Sequence, residues 1–323
     1  MTLDIGIVNA YAVLGAKPLD KVVVVHDSEN YDIAERFVKS SGARELKLKT
    51  KLLQLDRNRE TFYPNLPSEV ESDLTAFNPK IAINLLSVSI CSVGCRVSLL
   101  RAEEKLKCKI GHVPGCSEDI FSRYMAGNFT EIRKTNEKVW RYLNKIKPRR
   151  MYVTTELGTE LDIWVEGRKW LTDVVSLPGI PVNFPCGEVF IAPIENRVTG
   201  KLVCDISVED IGRIQKPVTI TIEDGICTHI EGERADEVRE MLFTNTESRI
   251  VGEFGIGLND EISHSEERTL LLEKANGTAH LAFGSNEDFG GMNFSSIHAD
   301  FVFNQPSILA DDTKIMEFGR LCI

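Results

Sequence analysis

Two kinds of patterning divide this chain, and they meet at the PRR that follows residue 147. Before it, strand-like and helix-like stretches alternate. KVVVVHD (21–27) is an apolar, β-branched run that stops at Asp27, the pattern of a strand buried on both faces. NYDIAERFVKSSGA (30–43) then sets Ile33, Ala34 and Phe37 at helical spacing, with Gly42 as an expected stop. ELKLKTKLL (45–53) alternates like a strand, KIAINLLSV (80–88) reads as a second buried strand, and AEEKLKCKIGHV (102–113) as a helix leading into a third. Such alternation predicts an open α/β sheet. A helix over 128–147, with Ile132, Val139, Leu143 and Ile146 on one stripe, closes this half.

After the PRR the period changes. RMYVTTELGTELDIWVEG (150–167) alternates around a glycine turn, and residues 201–233 are strand-rich, with Asp224-Gly225 as a hairpin turn. The expected organisation is an α/β domain over 1–148 and a β-rich α+β domain over 149–323.

The composition excludes several classes. A net charge of −10 does not suit a nucleic-acid backbone, and the one basic cluster, KIKPRR (145–150), falls at the expected linker. No apolar run is long enough for a membrane span, and the first residues lack the basic start of a signal peptide. The chain therefore reads as cytoplasmic, its three N-x-[ST] triplets as chance, and its eight scattered cysteines as reduced and mostly buried. Serine-hydrolase elbow, phosphate loop and HExxH helix are all missing from the sequence. GEFGIG has the wrong glycine order for a dinucleotide loop, and Cys186 reads better as a buried thiol than as a nucleophile.

What remains is a set of ligand-type residues in the second half. His298 and Asp300 are two apart in HADFVF, so on a strand they share a face and can reach one metal together. His280 begins HLAFG, a second expected strand. Glu188 lies in PCGEVFIAP and Glu253 in IVGEFGIGLN, both carboxylates amid apolar residues, where burial is costly unless the charge is paired or metal-bound. Singly, each has an ordinary reading as a satisfied core histidine or a solvated edge acid. Together, two histidines and three acids at glycine-flanked strands point to a divalent metal site. The flanking glycines are expected to make room for turns and for substrate backbone. His26, His112, His229 and His264 are expected to take no part.

GEVFIAP, VGEFGIGLN, LLEKANGTAHLAFG and GGMNFSSIHAD, in that order, resemble the ordered segments of the thermophilic metallo-aminopeptidase family, the aminopeptidase T group. The resemblance spans 186–300. It implies a homodimeric hydrolase that binds two divalent ions (Zn, Co or Mn) through Glu188, Glu253, His280, His298 and Asp300. It implies small peptides as substrates, with Glu253 or Glu287 moving the proton. One position departs from the pattern: the family keeps a Tyr seven residues after the first His, and here stands Glu287. A 2,5-dihydroxypyridine dioxygenase is similar to the same family. It implies the alternative of a ring-cleaving enzyme with one Fe(II) on His280, His298 and Asp300.

Overall fold

The computed structural model describes residues 2–56, 63–87 and 93–323. It forms two compact units, Met1–Thr130 with Asp173–Cys186, and Glu131–Thr172 with Gly187–Ile323. The sequence break near 148 thus lies inside the second unit. The helix Phe129–Ile146 buries Val139 and Leu143 in the core of the β-rich unit, and its packing decides its membership. The segment 173–186 belongs to the first unit and adds a strand there, which no local pattern in the sequence announces.

The first unit is built on a five-stranded parallel sheet, ordered Lys49–Gln54, Lys21–His26, Ile81–Leu86, Lys109–Pro114, Pro181–Asn183. Val22 and Val24 enter one apolar cluster, with the helices Thr2–Val13 and Tyr31–Lys39. Val23 and Val25 enter another, with Leu74 of Ser68–Phe77 and Leu99 of Val93–Lys105. Both faces are covered, which is why KVVVVH is apolar throughout. Gly42 does not stop a helix. Ser40 ends the first helix and its hydroxyl caps a second, Ser41–Glu45, by accepting from the Ala43 amide.

The second unit carries two antiparallel sheets around one core. The eight-stranded sheet runs Ile226–Gly232, Val218–Glu223, Val198–Cys204, Glu160–Trp164, Arg150–Thr154, Ser307–Ala310, Thr313–Glu317, Arg320–Leu321. The hairpins expected over 150–167 and at Asp224-Gly225 are both present. The seven-stranded sheet runs Gly212–Arg213, Ser207–Val208, His298–Asn304, Thr278–Gly284, Val251–Gly257, Glu188–Ile191, Leu171–Thr172. Val189, Ile191, Phe254, Ile256, Leu281, Phe283, Phe301 and Phe303 of this sheet face the shared core. Five cysteines (95, 108, 186, 204, 227) are buried, Cys116 is half-buried, Cys322 is exposed, and Cys91 lies outside the described residues. No helix among the described residues is long and apolar enough to cross a membrane.

Candidate metal centre

The opposite face of the seven-stranded sheet follows from the same alternation. If Val189, Phe254, Leu281 and Phe301 point to the core, then Glu188, Glu253, His280, His298 and Asp300 point away from it. The register aligns them: Gly255 pairs with His280, Glu253 with Ala282, Ala282 with Asp300, and Gly284 with His298. A bulge between Val251 and Glu253 lets Val251 stay in the core while Glu253 faces the site.

The glycines of GEFGIG serve the protein itself. A Cβ on Gly255 would stand 2.1 Å from Cε1 and Nε2 of His280, so this position must be bare for the imidazole to lie over it. A Cβ on Gly257 would stand 2.2 Å from the Ala275 carbonyl oxygen, where the 273–278 turn crosses the strand. The expected room for a turn is thus found at Gly257, and Gly255 makes room for an imidazole that the sequence did not announce.

All five side chains converge. His280 Nε2 lies 3.5 Å from Glu188 Oε2, 3.4 Å from Glu253 Oε1 and 4.0 Å from Asp300 Oδ1. His298 Nε2 lies 3.3 Å from Glu253 Oε2 and 3.7 Å from Asp300 Oδ2. Glu253 thus presents one oxygen to each imidazole. These separations exceed the roughly 2.9 Å of a good hydrogen bond. They match two donors that each sit about 2.1 Å from a common ion, which stand about 3–4 Å apart. Asp300 Oδ1 and His280 Nδ1 are buried with no hydrogen-bond partner among the described residues. His298 Nδ1 lies 2.8 Å from the Ser285 carbonyl, so its N–H points there and Nε2 is left for the site. The donor set and the orphaned carboxylate oxygen fit a divalent cation.

Three further charged residues join the cluster. Lys274, wholly buried, contacts Glu188 Oε1 and lies 3.0 Å from Glu273 Oε1. Ligand atoms of Glu209, Glu273 and Asp300 lie within 4.8 Å of one another, as do those of Glu188, Glu253 and His280. Asp300 therefore stands between two candidate cation positions. Sequence reasoning passed over Glu209, Glu273 and Lys274. Glu273-Lys274 lies inside the LLEKANGTAHLAFG segment, which is the signal that could have found it. Glu209 follows the two-residue strand Ser207–Val208, and its amide donates to the Asp300 carbonyl at 2.8 Å, a contact with no local signature.

The electrostatics describe a site short of positive charge. Burial pushes Glu253 up, but hydrogen bonds to His280 and His298 outweigh it and hold its carboxyl at about 2. Burial pushes His298 down, but the Asp300 charge and the Glu253 carboxylate outweigh it and raise the imidazole to about 10. His280 is likewise raised: burial opposes the charge, and Glu253, Asp300 and Glu188 overcome it. Glu273 is raised well above the carboxylate range by burial, then by Asp300, Glu188 and Glu209. Both imidazoles are thus shifted toward the charged form by the carboxylates around them, His298 the more clearly.

Glu287 lies on the short turn Glu287–Phe289, just past the His280 strand, and is half-buried. The remaining histidines stand elsewhere. His26 Nδ1 meets the Asp27 carbonyl and His112 is buried on the parallel sheet, both in the first unit. His229 is exposed and His264 meets the Asn276 carbonyl.

The family described as thermophilic metalloprotease (M29) has a model that matches residues 124–318, which include every side chain of this cluster. Two solved structures are similar along nearly the whole chain. One is a 2,5-dihydroxypyridine dioxygenase from Pseudomonas putida KT2440, with a TM-score of 0.77, 15% identity, and coverage of 99% of this chain and 96% of that one. The other is wild-type AmpT from Thermus thermophilus, with a TM-score of 0.70, 18% identity, and 99% of both chains covered. At such identities the two show the fold and do not choose between activities. No curated protein matches the sequence.

Proposed function

This chain belongs to the thermophilic metalloprotease (M29) family, and from that premise we propose that it is an aminopeptidase that uses two divalent ions. The observation that carries the reading is the spacing of the two imidazoles against Glu188, Glu253 and Asp300, 3.3–4.0 Å, with Asp300 shared by a second carboxylate group. Glu188, Glu253, His280, His298 and Asp300 would hold the ions, with Glu209 and Glu273 beside them. Ions bound there, Zn, Co or Mn, would supply an acidified water and a polarised substrate carbonyl.

The chain's own residues do the rest. We assign the proton-accepting role first to Glu253, whose two oxygens face the two imidazoles. Glu287, on the turn just past the His280 strand, is the second acid we propose for that role. A free α-amine on the substrate could complete the coordination of one of the ions, which would favour peptides with an unblocked N-terminus.

An Fe(II) dioxygenase would need His280, His298 and Asp300 with open positions. The additional carboxylates of Glu188 and Glu253 lie against that arrangement and support the hydrolase reading instead. The test pairs metal-loaded protein with aminoacyl amides and their N-acetylated forms. Release of ammonia from the free-amine substrates alone is expected. No release with Zn, Co or Mn, together with O₂ uptake on a dihydroxypyridine by the Fe(II) protein, would overturn the reading.

A further inference from the structure

Resting on the aminopeptidase reading, we infer that the face beside His298, formed by Phe190, Phe289, Met292 and Phe294, is the seat for an apolar side chain on the substrate's N-terminal residue. Of the five side chains at the site, His298 is the most exposed. The His298 side chain is 33% exposed, whereas those of Asp300, Glu253, Glu188 and His280 are 11%, 8%, 7% and 1% exposed. His298 thus marks the most accessible approach to this ligand set.

Apolar groups line that approach. Phe289 packs edge-on against the His298 ring with centroids 5.9 Å apart, and against Phe190 at 5.8 Å. Phe190 lies two residues from Glu188 on one strand, so both side chains stand on the site face, and it pairs with the bare Gly255. Met292 and Phe294 are 75% and 68% exposed, a costly display for a protein surface. They flank Asn293, which is buried and donates to the Gly284 carbonyl at 2.7 Å, and Gly284 is the cross-strand partner of His298. The loop is anchored on its other side as well. Glu195, paired with Arg168 at 2.6 Å, accepts from the Met292 amide at 2.7 Å. Two large, exposed apolar side chains thus stand on a loop whose backbone is tied to Gly284, the strand partner of His298.

The occupant follows from the chemistry of the walls. Deeper in, the site is carboxylate and imidazole, which no hydrocarbon side chain would enter. The substrate's amine and carbonyl are spent on that polar interior. Its first side chain is then left at the rim, where the phenyl and thioether groups are. Leucine-, methionine- or phenylalanine-like residues suit this surface, and charged ones do not.

The experiment measures kcat/KM for leucyl, phenylalanyl, glycyl, lysyl and aspartyl amides with the metal-loaded protein and with its M292S/F294S variant. Metal content and molar mass in solution are followed for both. The wild type is expected to favour leucyl over aspartyl amide at least about 10-fold. In the variant the leucyl-to-glycyl ratio is expected to drop about 10-fold, through KM, with metal content unchanged. A flat side-chain profile overturns the inference and leaves the peptidase reading standing. So does a variant that changes molar mass but keeps the wild-type ratio, which would assign the patch to contact between copies of the chain. Failure to cleave any amide sinks the peptidase reading and this inference with it.

Discussion

At the level of single residues, the site is defined as much by a missing Cβ as by the ligands. Gly255→Ala would set a methyl 2.1 Å from the His280 ring, which no rotamer of the alanine can relieve. The ring must swing, and the expected result is a loss of metal affinity of about 10–100-fold, the size seen when support of a ligand is removed. A chelator competition titration reads it directly, with far-UV circular dichroism to show that the sheet persists. Unchanged affinity would mean that His280 is not a ligand. Glu287 poses the other residue-level question. A phenol can donate to a developing oxyanion, whereas an ionised carboxylate can only accept. Glu287→Tyr is therefore expected to raise aminoacyl-amide hydrolysis or leave it as it was. A clear loss in that variant, with metal still bound, would give Glu287 a catalytic role of its own.

At the level of elements, the connection between the His280 and His298 strands is pinned by Asn293. This buried amide donates to Gly284 at 2.7 Å and to the Glu247 carbonyl at 2.8 Å, and its backbone N–H donates to Asn286 at 2.8 Å. Asn293→Ala removes two buried donors from acceptors that stay behind, at a cost of about 1–3 kcal/mol. Denaturant unfolding would show it as a lower midpoint at constant slope, and a midpoint equal to wild type would mean that the loop is held by other contacts. Much of this element level was legible beforehand. His298 and Asp300 share a face because strand parity is local, and the alternation of EFGIG and HLAFG separates core from site in the sequence itself. The parts that escaped are the non-local ones. Nothing near Glu209 announces Asp300, the bulge at Gly252 shows only in the register with the partner strand, and Gly255 answers to a ring two sequence segments away. The return of 173–186 to the parallel sheet escaped for the same reason, since a three-residue strand carries no period to read.

At the level of the whole molecule, the cluster couples stability to both pH and metal, and the sign can be worked out. In the metal-free protein His298 titrates at about 10 against an ordinary 6.5, so its contribution is complete below pH 6.5 and is lost as pH rises toward 10. Glu253 titrates at about 2 against 4.5, so its contribution is present above pH 4.5 and is lost as pH falls toward 2. On account of these two groups the metal-free protein should be steadiest between pH 4.5 and 6.5 and should weaken on the alkaline side. A bound ion reverses that side. It requires a neutral imidazole at His298 Nε2, so its binding expels a proton near neutral pH and tightens as the pH rises. The gap in Tm between metal-loaded and chelator-treated protein should therefore widen from pH 6.5 to about pH 9, because ligand stabilisation grows with the ratio of free ion to Kd. Calorimetric titration of Zn²⁺ or Mn²⁺ in buffers of different ionisation enthalpy should show at least one proton released per site at neutral pH. Binding without proton release, or a metal-free protein that gains stability between pH 6.5 and 9, would show that the imidazoles are neutral before the ion arrives and that the carboxylates are balanced by some other charge.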